Sequence, residues 1–370
     1  MVSLTIIAPE VGDAPYAASA RYNSLIKSFE KLSNKNISIL LLSGVGHFET
    51  KSQNIKTKCA QINTREGKYF FRIFKEFFYA LFCILYIPKK QNTLVLISIP
   101  NYISALVIAK YCQLTSKRYF LDVRDLYPEA YELANILNID NPFYNLMKKL
   151  TKNIYIKSEK IFVATHGLGN IVRGYLDQEK EIHVILNGFP REMCESVIAK
   201  NISRTKDVIF HGTLGFMQDI KLIEELIKAL PNISFSLVGD GASFEYLKNK
   251  NLKNLFIYNR MPLIEVLELV ASHRLGLSIR SGSWYDKVSL PVKVFEYIGL
   301  NLNVISFPET EFNKFESKIS TIFEINTRDV LTLSKKINEV IKLENLGETP
   351  PKELSREYNS EKFMNILLKN

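Results

Sequence analysis

Residues 207–221 read DVIFHGTLGFMQDIK. The run Asp207–His211 has the length and aliphatic character of a buried strand, and the glycines and polar residues after it are typical of a turn into a helix. A strand, a glycine-bearing turn and a helix start, in this order, form the repeating unit of a parallel α/β sheet. The stretch therefore predicts an α/β fold.

The same alternation of short aliphatic runs and helical stretches continues along the whole sequence. The predicted strands are Leu4–Ala8, Ile37–Leu42, Leu94–Ile99, Tyr119–Val123, Lys160–Ala164, Ile182–Leu186, Asp207–His211, Ser234–Val238, Asn254–Tyr258, Arg274–Ile279, Asn303–Ser306 and Thr321–Phe323. Because strands that alternate with helices pair in parallel, we expect two doubly wound, Rossmann-like sheets.

Length and turn signals divide the chain. A chain of 370 residues is too long for one ordinary hydrophobic core, and the turn Asn187–Pro190 precedes a polar stretch. We predict an N-terminal Rossmann-like domain over residues 1–190 and a C-terminal one over 191–350. A final helix in residues 351–370 is expected to pack back on the N-terminal domain.

The composition is that of a basic globular protein. A formal charge of +10 and a pI near 9.2 favour polyanionic partners, which include nucleic acid, phosphorylated ligands and anionic membranes. The cysteines are widely spaced, so neither a zinc site nor a disulfide framework is indicated and a reducing cytosol fits best. They are Cys59, Cys83, Cys112 and Cys194. The N-terminal residues predict a strand and not a signal peptide.

One segment, Phe77–Ile87, is apolar throughout and has lysine or arginine on both sides. It is shorter than the roughly 20 residues that a membrane-spanning helix needs. A segment that is apolar on every side normally packs inside a domain, so we expect a buried helix. The alternative is a helix that lies in the lipid headgroup region.

Three loops of the second half follow neighbouring predicted strands. The first contains Gly212, Thr213, Gly215 and Lys221, where backbone, hydroxyl and ammonium groups could meet a phosphate at a helix start. The other two are Val238–Gly241 and Asn259–Pro262. Each is also compatible with ordinary turn chemistry, and Gly-Lys-Ser/Thr, the mark of a P-loop, is absent.

Charged residues also follow strands in the first half and begin a late helix. Asp122–Glu129 carries Arg124, Asp125 and Glu129, which could form a structural network or line a cleft. In Pro291–Leu300 the apolar residues have helical spacing, but Lys293 and Glu296 interrupt them. They could form a surface ion pair or face a ligand cleft. The lone histidines His166 and His211 are expected to be structural.

Taken together, these segments resemble the family 4 glycosyltransferases, retaining enzymes of the GT-B fold, and especially bacterial members that build capsule and O-antigen polysaccharides. The family pattern is close to Pro-x-Lys-x-x-Glu-Tyr-x-Ala/Gly with a later x-Val-Ile strand. The matching pieces are Gly212–Gly215 with Lys221, Val238–Gly241, Asn187-Gly188, Pro291–Gly299 and Asn303–Ile305. Asp122–Glu129 is similar to the Arg-Asp-Leu-Trp-Pro-Glu segment of related sugar transferases.

The resemblance implies a hexosyltransferase-like enzyme with two domains that face each other across a cleft. Glu296 would hold the ribose hydroxyls of a UDP- or GDP-sugar donor, and Lys221 would offset the charge of its diphosphate. The residues implied in catalysis are Lys221, Glu296 and Asp125. Those implied in donor binding are Gly212, Thr213, Gly215, Lys221, Gly239, Asp240, Gly241, Met261, Arg280, Lys293 and Glu296. Those implied in acceptor binding are Gly12, Asp13, Arg124, Asp125 and Glu129.

The implied acceptor is a lipid-linked oligosaccharide, and the implied location is the inner face of the cytoplasmic membrane, with the basic segment Lys68–Lys90 on its anionic surface. No cofactor is expected, and no divalent metal either, because an Asp-x-Asp motif of the expected kind is absent. The sequence departs from the family at Val288, where the first of two paired glutamates would stand, at Asn303, which replaces a proline, and in a first loop with only Gly12.

Two alternatives remain open at this point. A sugar-nucleotide epimerase of the same architecture would use the nucleotide sugar without an acceptor. A non-catalytic scaffold of this fold would explain Val288. A nucleic-acid binder is not supported, because neither a recognition-helix motif nor an arginine-aromatic platform is present.

Overall fold

The computed structural model describes residues 2–14, 17–31, 37–90, 92–215, 217–241, 243–343 and 349–369. The chain forms two compact units. The first contains Met1–Leu186 and Ser360–Asn370, and the second contains Asn187–Asn359. The division thus falls just before the turn Asn187–Pro190, and the last helix begins in one unit and ends in the other.

In its described residues, the first unit forms a seven-stranded sheet in which every pairing is parallel. The strands are β1 (Val2–Glu10), β2 (Ile37–Val45), β3 (Ile55–Cys59), β4 (Thr93–Ile99), β5 (Tyr119–Val123), β6 (Lys160–Val163) and β7 (Ile182–Val184). Their order is β3-β2-β1-β4-β5-β6-β7. The helices are α1 (Ala17–Glu30), α2 (Tyr69–Tyr86), α3 (Tyr102–Leu114), α4 (Glu129–Leu133), α5 (Pro142–Lys157) and α6 (His166–Gly174).

The second unit forms a six-stranded parallel sheet in its described residues, in the order β10-β9-β8-β11-β12-β13. The strands are β8 (Lys206–Thr213), β9 (Phe235–Asp240), β10 (Leu255–Asn259), β11 (His273–Ile279), β12 (Asn303–Phe307) and β13 (Ile322–Glu324). The helices are α7 (Arg191–Ile198), α8 (Ile220–Ala229), α9 (Phe244–Lys248), α10 (Leu263–Ala271), α11 (Trp284–Val288), α12 (Val292–Gly299), α13 (Val330–Val340) and α14 (Arg356–Leu368), with 3-10 turns at Glu311–Lys318 and Lys352–Leu354. Leucine and isoleucine side chains of α8 and α13 pack on one face of this sheet.

Each predicted strand overlaps an observed one, but β3 escaped prediction. Its sequence, Ile-Lys-Thr-Lys-Cys, has lysines at alternate positions, and its side chains alternate between buried or half-buried and exposed. β3 pairs with β2 at the edge of the sheet, where one face meets solvent. An edge strand of this kind lacks the aliphatic run by which the others were found.

The strand order of each sheet reverses direction once. The chain moves outward from β1 to β3 and then returns to β4 beside β1, and it repeats this path from β8 to β10 and back to β11. Ligands of doubly wound sheets bind beyond the carboxyl ends of the strands at such a reversal. The topology therefore directs attention to the loops that follow β8 and β11 in the second unit.

The prediction that the apolar helix of residues 77–87 is buried was wrong. This helix is α2, and its outward face exposes phenylalanine and leucine side chains, including Phe70, Phe78 and Leu85. Only its inner face, with Glu76 and Tyr79, is buried. Within the described residues, no helix combines the length and the apolar character needed to cross a membrane.

Candidate functional site

The glycine-bearing ends of β8 and β9, and the loops that follow them, meet backbone to backbone. Gly212 has φ +113° and Gly239 has φ +149°, and a Cβ atom on Gly239 would lie 2.1 Å from the carbonyl oxygen of Gly212. The amide of Leu214 donates to the carbonyl of Asp240 at 2.7 Å. Gly241, at φ +116°, meets the first loop as closely, with 2.5 Å from its added Cβ to the oxygen of Leu214. Glycine is required here because no side chain fits between the loops.

The polar side chains of these loops are bound to each other. Thr213 donates from its hydroxyl to Asp240 at 2.9 Å, and Arg260, from the loop after β10, donates to the other carboxylate oxygen at 3.0 Å. All three are partly or largely exposed. Arg260 was not among the predicted residues, although it lies directly before the predicted Met261. The three loops therefore join into one surface.

Lys293 reaches this surface from the first turn of α12. Its Nζ lies 3.5 Å from the centroid of the Phe210 ring, and a Cβ atom on Gly212 would lie 3.6 Å from its Cε. The Nζ is buried and has no hydrogen-bond partner among the described residues. Burial, together with the nearby charge of Arg280, holds the pKa of Lys293 well below its usual value. Burial thus disfavours the charged form of this amino group, and the described residues offer it no hydrogen bond.

Glu296 lies one turn further along α12 and is 5% exposed. Its Oε2 is 3.3 Å from Nε2 of His211, and its Oε1 is 3.8 Å from the guanidinium of Arg356. Burial raises the pKa of Glu296 to about 7, although Arg356 and Lys293 act in the opposite direction. The interpretation of Lys293 and Glu296 as a surface ion pair is therefore wrong, because both charged groups lie inside the unit.

His211 ends the buried part of β8 beside this carboxylate. Burial, and secondarily the charge of Lys293, lowers the pKa of His211 to about 3, so its imidazole is neutral at physiological pH. Its backbone N–H donates to the hydroxyl of Tyr297 at 3.3 Å, and that hydroxyl donates to the carbonyl of Ile209 at 3.3 Å. His211 therefore lines the cluster as a neutral group.

Arg356 joins the cluster from the start of α14 and escaped prediction. Its guanidinium donates to the carbonyl oxygens of Asn187 and Gly188 at 3.3 and 3.2 Å. Gly188 has φ +63°, and a Cβ atom there would lie 2.6 Å from the amide nitrogen of Arg356. The turn Asn187-Gly188, which the sequence indicated as a domain boundary and as a match to the family, thus positions a cation beside Glu296.

Arg280, directly after β11, is held by an internal network. It forms an ion pair of 2.7 Å with the fully buried Asp286 and donates to the hydroxyl of Ser289 at 2.6 Å. Asp286 also accepts from the backbone and hydroxyl of Ser283, which begins α11. Arg280 therefore shapes the loop between β11 and α12.

The remaining predicted donor residues lie around the same loops. Lys221 is exposed in the first turn of α8, a helix capped by Asp219, which accepts from the amide of Leu222 at 3.0 Å. Met261 is half-buried in the loop after β10, and a Cβ atom added to Gly215 would meet open space. These three positions border the loops but make none of the contacts of the buried cluster described above.

In the first unit, Gly12 and Asp13 form a tight loop after β1. A Cβ atom on Gly12, at φ +58°, would lie 1.7 Å from the carbonyl oxygen of His47. The amide of Gly12 donates to Asn23 at 2.6 Å, and Asp13 accepts from the amide of His47 at 2.8 Å. The single glycine of this loop is therefore a structural necessity.

The segment after β5 does not hold Arg124 and Glu129 in one network. Arg124 donates to the hydroxyl of Ser98 at 3.1 Å and lies over the ring of Tyr22. Glu129 is buried and accepts from the hydroxyl of Tyr175, while its Oε2 has no hydrogen-bond partner among the described residues. Asp125 is half-buried between them in the sequence.

The dominant ion pair of this region involves Asp122 and Arg21. Arg21 binds both carboxylate oxygens of Asp122, at 2.8 and 3.0 Å, and Tyr22 donates to the same carboxylate at 2.7 Å. Arg65, at 39% side-chain exposure, pairs with the buried Glu10 at the end of β1. The sequence analysis did not predict Arg21, Arg65 or Glu10 as parts of ion pairs, because the partner of each residue lies far from it in the sequence.

Comparison with solved structures decides the architecture. The chain superposes on Anabaena HepE, solved in complex with UDP and glucose, with a TM-score of 0.61 and 15% identity over 99% of this chain and 95% of that one. It superposes on UDP-GlcNAc 2-epimerase from Neisseria meningitidis, solved bound to UDP-GlcNAc, with a TM-score of 0.60 and 14% identity over 100% of both chains. The predicted GT-B fold is confirmed.

At the level of sequence, the GT-B chain is distantly similar to a curated protein. It is 22% identical over 260 residues to "Probable glycosyltransferase WbjE" of Pseudomonas aeruginosa. The match covers 65% of this chain and spans 65% of the length of WbjE. No family model matches the chain.

Within its second unit, this GT-B chain brings together most of the predicted donor residues. Gly212, Lys293 and Glu296 lie along one path from the glycine loops into the buried cluster. Two members of the cluster were not predicted as site residues. His211 was expected to be structural, and Arg356 follows a proline-containing stretch far along the chain. The predicted acceptor residues lie in the first unit.

Proposed function

We propose that the chain is a glycosyltransferase that moves a sugar from a nucleoside diphosphate sugar to a hydroxyl group of a glycan in polysaccharide biosynthesis. One observation carries the proposal. At the reversal of the second sheet, a buried carboxylate and a buried ammonium lie beside two loops that present bare backbone. Buried charges that lack full compensation cost stability, so a ligand that pairs with them gives a reason for their presence.

The donor fits this arrangement group by group. The carboxylate of Glu296 would accept hydrogen bonds from ribose hydroxyls, and the ammonium of Lys293 would bind a diphosphate oxygen across Gly212, where no side chain intervenes. Lys221, exposed in the first turn of α8, would add a cation for the departing diphosphate. UDP and UDP-GlcNAc, bound to HepE and the Neisseria epimerase, make a UDP-sugar the first donor to test.

Catalysis in this proposal consists of positioning and charge stabilisation. Lys221 and Lys293 would stabilise the diphosphate that leaves, and Asp125, with Gly12, Asp13, Arg124 and Glu129 of the first unit, would contact the acceptor. We propose no divalent metal and no other cofactor, retention of the anomeric configuration as in family 4, and a lipid-linked glycan of capsule or O-antigen type as acceptor. The site of action would be the inner face of the cytoplasmic membrane.

The fold equally suits a sugar-nucleotide epimerase, since the Neisseria epimerase matches this chain over its whole length. That enzyme class would use the same nucleotide pocket and need no acceptor. A non-catalytic scaffold is the other alternative, favoured by Val288 in place of a family glutamate. Val288 ends α11, beside the loop that Arg280 and Asp286 support.

Two assays separate these functions. Thermal stabilisation by UDP-, GDP- and other nucleotide sugars would identify the donor. The purified protein is then incubated with that donor, with and without lipid-linked glycans, and the released nucleoside diphosphate is measured with and without EDTA. We expect release that requires an acceptor, continues in EDTA and is lost in Glu296→Gln but kept in Glu265→Gln, an exposed control on α10. Conversion of the sugar without an acceptor would establish the epimerase, and binding without turnover the scaffold.

A further inference from the structure

The outward side of α2 carries nine of the large apolar side chains that are exposed among the described residues. Along this helix, large apolar side chains are between about one third and four fifths exposed, and they are Phe70, Phe71, Ile73, Phe74, Phe77, Phe78, Leu81, Leu85 and Tyr86. We call this set the aromatic face. Soluble monomers rarely expose a contiguous apolar patch of this kind without a binding function.

The opposite side of α2 is anchored in the first unit. The hydroxyl of Tyr79 donates to the carbonyl of Leu42 on β2 at 2.9 Å, and the carboxylate of Glu76 accepts from the amide of Ile103 on α3 at 2.8 Å. Cys83 is fully buried on the same side. The helix is therefore a fixed part of the fold, and its aromatic face remains directed outward.

A second apolar stripe lies on α5. Phe143, Leu146 and Leu150 are exposed at helical spacing, while Met147 and Tyr155 are buried. The connections β3–β4, β4–β5 and β5–β6 run in the same direction across the sheet, and right-handed crossovers place α2, α3 and α5 on the same side of it. The exposed stripes of α2 and α5 thus belong to one layer of helices.

Within the two segments that carry these stripes, the exposed charged side chains are all basic. Residues 68–90 contain Lys68, Arg72, Lys75, Lys89 and Lys90. Their only acid is Glu76, which is buried and whose pKa is raised by burial to about 7. Helix α5 contains lysines and no acid. The exposed Asp177 pairs with Lys152 of α5 at 2.7 Å, but the other lysines of the two segments leave positive charge in excess. An apolar surface with excess positive charge around it complements an anionic interface.

We propose that the aromatic face of α2 and the stripe of α5 bind the headgroup region of an anionic phospholipid membrane, with α2 parallel to the membrane surface. Phenylalanine and leucine side chains enter the boundary between headgroups and acyl chains, and the lysines contact lipid phosphates. A second copy of this chain is the less favoured occupant, because it would place lysines against lysines. Unlike adsorption through charge alone, this binding depends on aromatic side chains.

The first test uses vesicle sedimentation without nucleotide sugar or acceptor, so its outcome is independent of the proposed enzyme activity. The triple variant Phe70→Ser, Phe74→Ser, Phe78→Ser removes three aromatic side chains from one face, and we expect it to bind phosphatidylglycerol-containing vesicles about tenfold or more weakly than the unchanged chain. Phe256→Ser, at a 51% exposed position on β10, is the control and should bind normally. Equal binding by the triple variant, or no binding by the unchanged chain, would overturn the proposal.

A second test locates the contact and excludes misfolding as the cause. The chain has a single tryptophan, Trp284, so Phe78→Trp in a Trp284→Phe background gives one reporter on the aromatic face. We expect its emission to shift to shorter wavelength with vesicles and to be quenched by brominated lipids, whereas Phe256→Trp should not respond. A shift that occurs without lipid, together with a dimer that the triple serine variant dissociates, would identify a second copy as the occupant and overturn the membrane assignment.

Discussion

Replacement of Glu296 by glutamine is expected to stabilise the second unit at neutral and alkaline pH while it weakens nucleotide-sugar binding. Glutamine keeps the size of the side chain and removes the charge. In the folded chain that charge is disfavoured, because burial raises the pKa of Glu296 to about 7 in spite of Arg356 and Lys293. The perturbation therefore separates the cost of the carboxylate to stability from its use in binding.

The magnitude follows from the pKa. Between pH 4.5 and about 7 the folded chain binds more protons at Glu296 than the unfolded chain does, so the free energy of unfolding falls as pH rises through this window. At roughly 1.4 kcal/mol per pKa unit, the loss approaches about 3 kcal/mol above pH 7. His211 has the opposite sign, because its pKa is lowered to about 3 and its contribution is lost as pH falls from 6.5. His211 is present in both proteins, so its contribution largely cancels in the comparison.

Binding should change in the other direction. A hydrogen bond to a charged group contributes about 1.5–3 kcal/mol. Loss of the carboxylate is therefore expected to weaken the binding of the nucleotide sugar by about tenfold to a hundredfold. A variant that is more stable and binds less tightly is the signature of a charge kept for function. A purely structural glutamate would not combine these two effects.

The assay is denaturant unfolding at acidic and alkaline pH, monitored by the fluorescence of Trp284. Trp284 is the single tryptophan of the chain and lies in the second unit, so its signal reports on that unit. Donor affinity is measured by calorimetry, with Glu265→Gln as the matched variant at an exposed position. The reasoning is refuted if the stability difference between Glu296→Gln and the unchanged chain does not grow with pH. Unchanged donor affinity would refute the site assignment.

Three further substitutions test single contacts. Gly239→Ala should lower the free energy of unfolding by about 2–4 kcal/mol, since its Cβ would lie 2.1 Å from a carbonyl oxygen, whereas Gly215→Ala, which has open space, should be nearly neutral in the same denaturation experiment. Lys293→Met should leave the free energy of unfolding unchanged or higher. In calorimetry it should lower the affinity for UDP about tenfold and leave the affinity for uridine unchanged. An equal loss of affinity for both ligands would contradict a phosphate contact. Asp122→Asn leaves the buried guanidinium of Arg21 without its counter-ion and should cost about 3–5 kcal/mol in thermal unfolding followed by circular dichroism, and an unaltered transition would contradict the importance of this pair.

Prediction from sequence succeeded where the determining interactions are local. The strand β5 was predicted with its observed bounds, and close backbone approach was predicted at Gly212, where it is observed, and at Gly215, where it is not. It failed for β3, whose alternating lysines hide an edge strand, and for the packing of α2. An apolar sequence indicates that a segment is shielded from water, but it does not show whether protein or a membrane shields it.

The sequence by itself determined the alternation of strands and helices and the glycine-bearing turns between them, because turn chemistry and side-chain periodicity act over a few residues. Only the tertiary structure decided that Lys293 and Glu296 are buried beside His211 and Arg356, groups that come from three separate segments of the chain. Burial and the field of distant charges shift a pKa, and both depend on which segments meet in space. The same holds for the aromatic face of α2, whose exposure depends on what the rest of the first unit leaves uncovered.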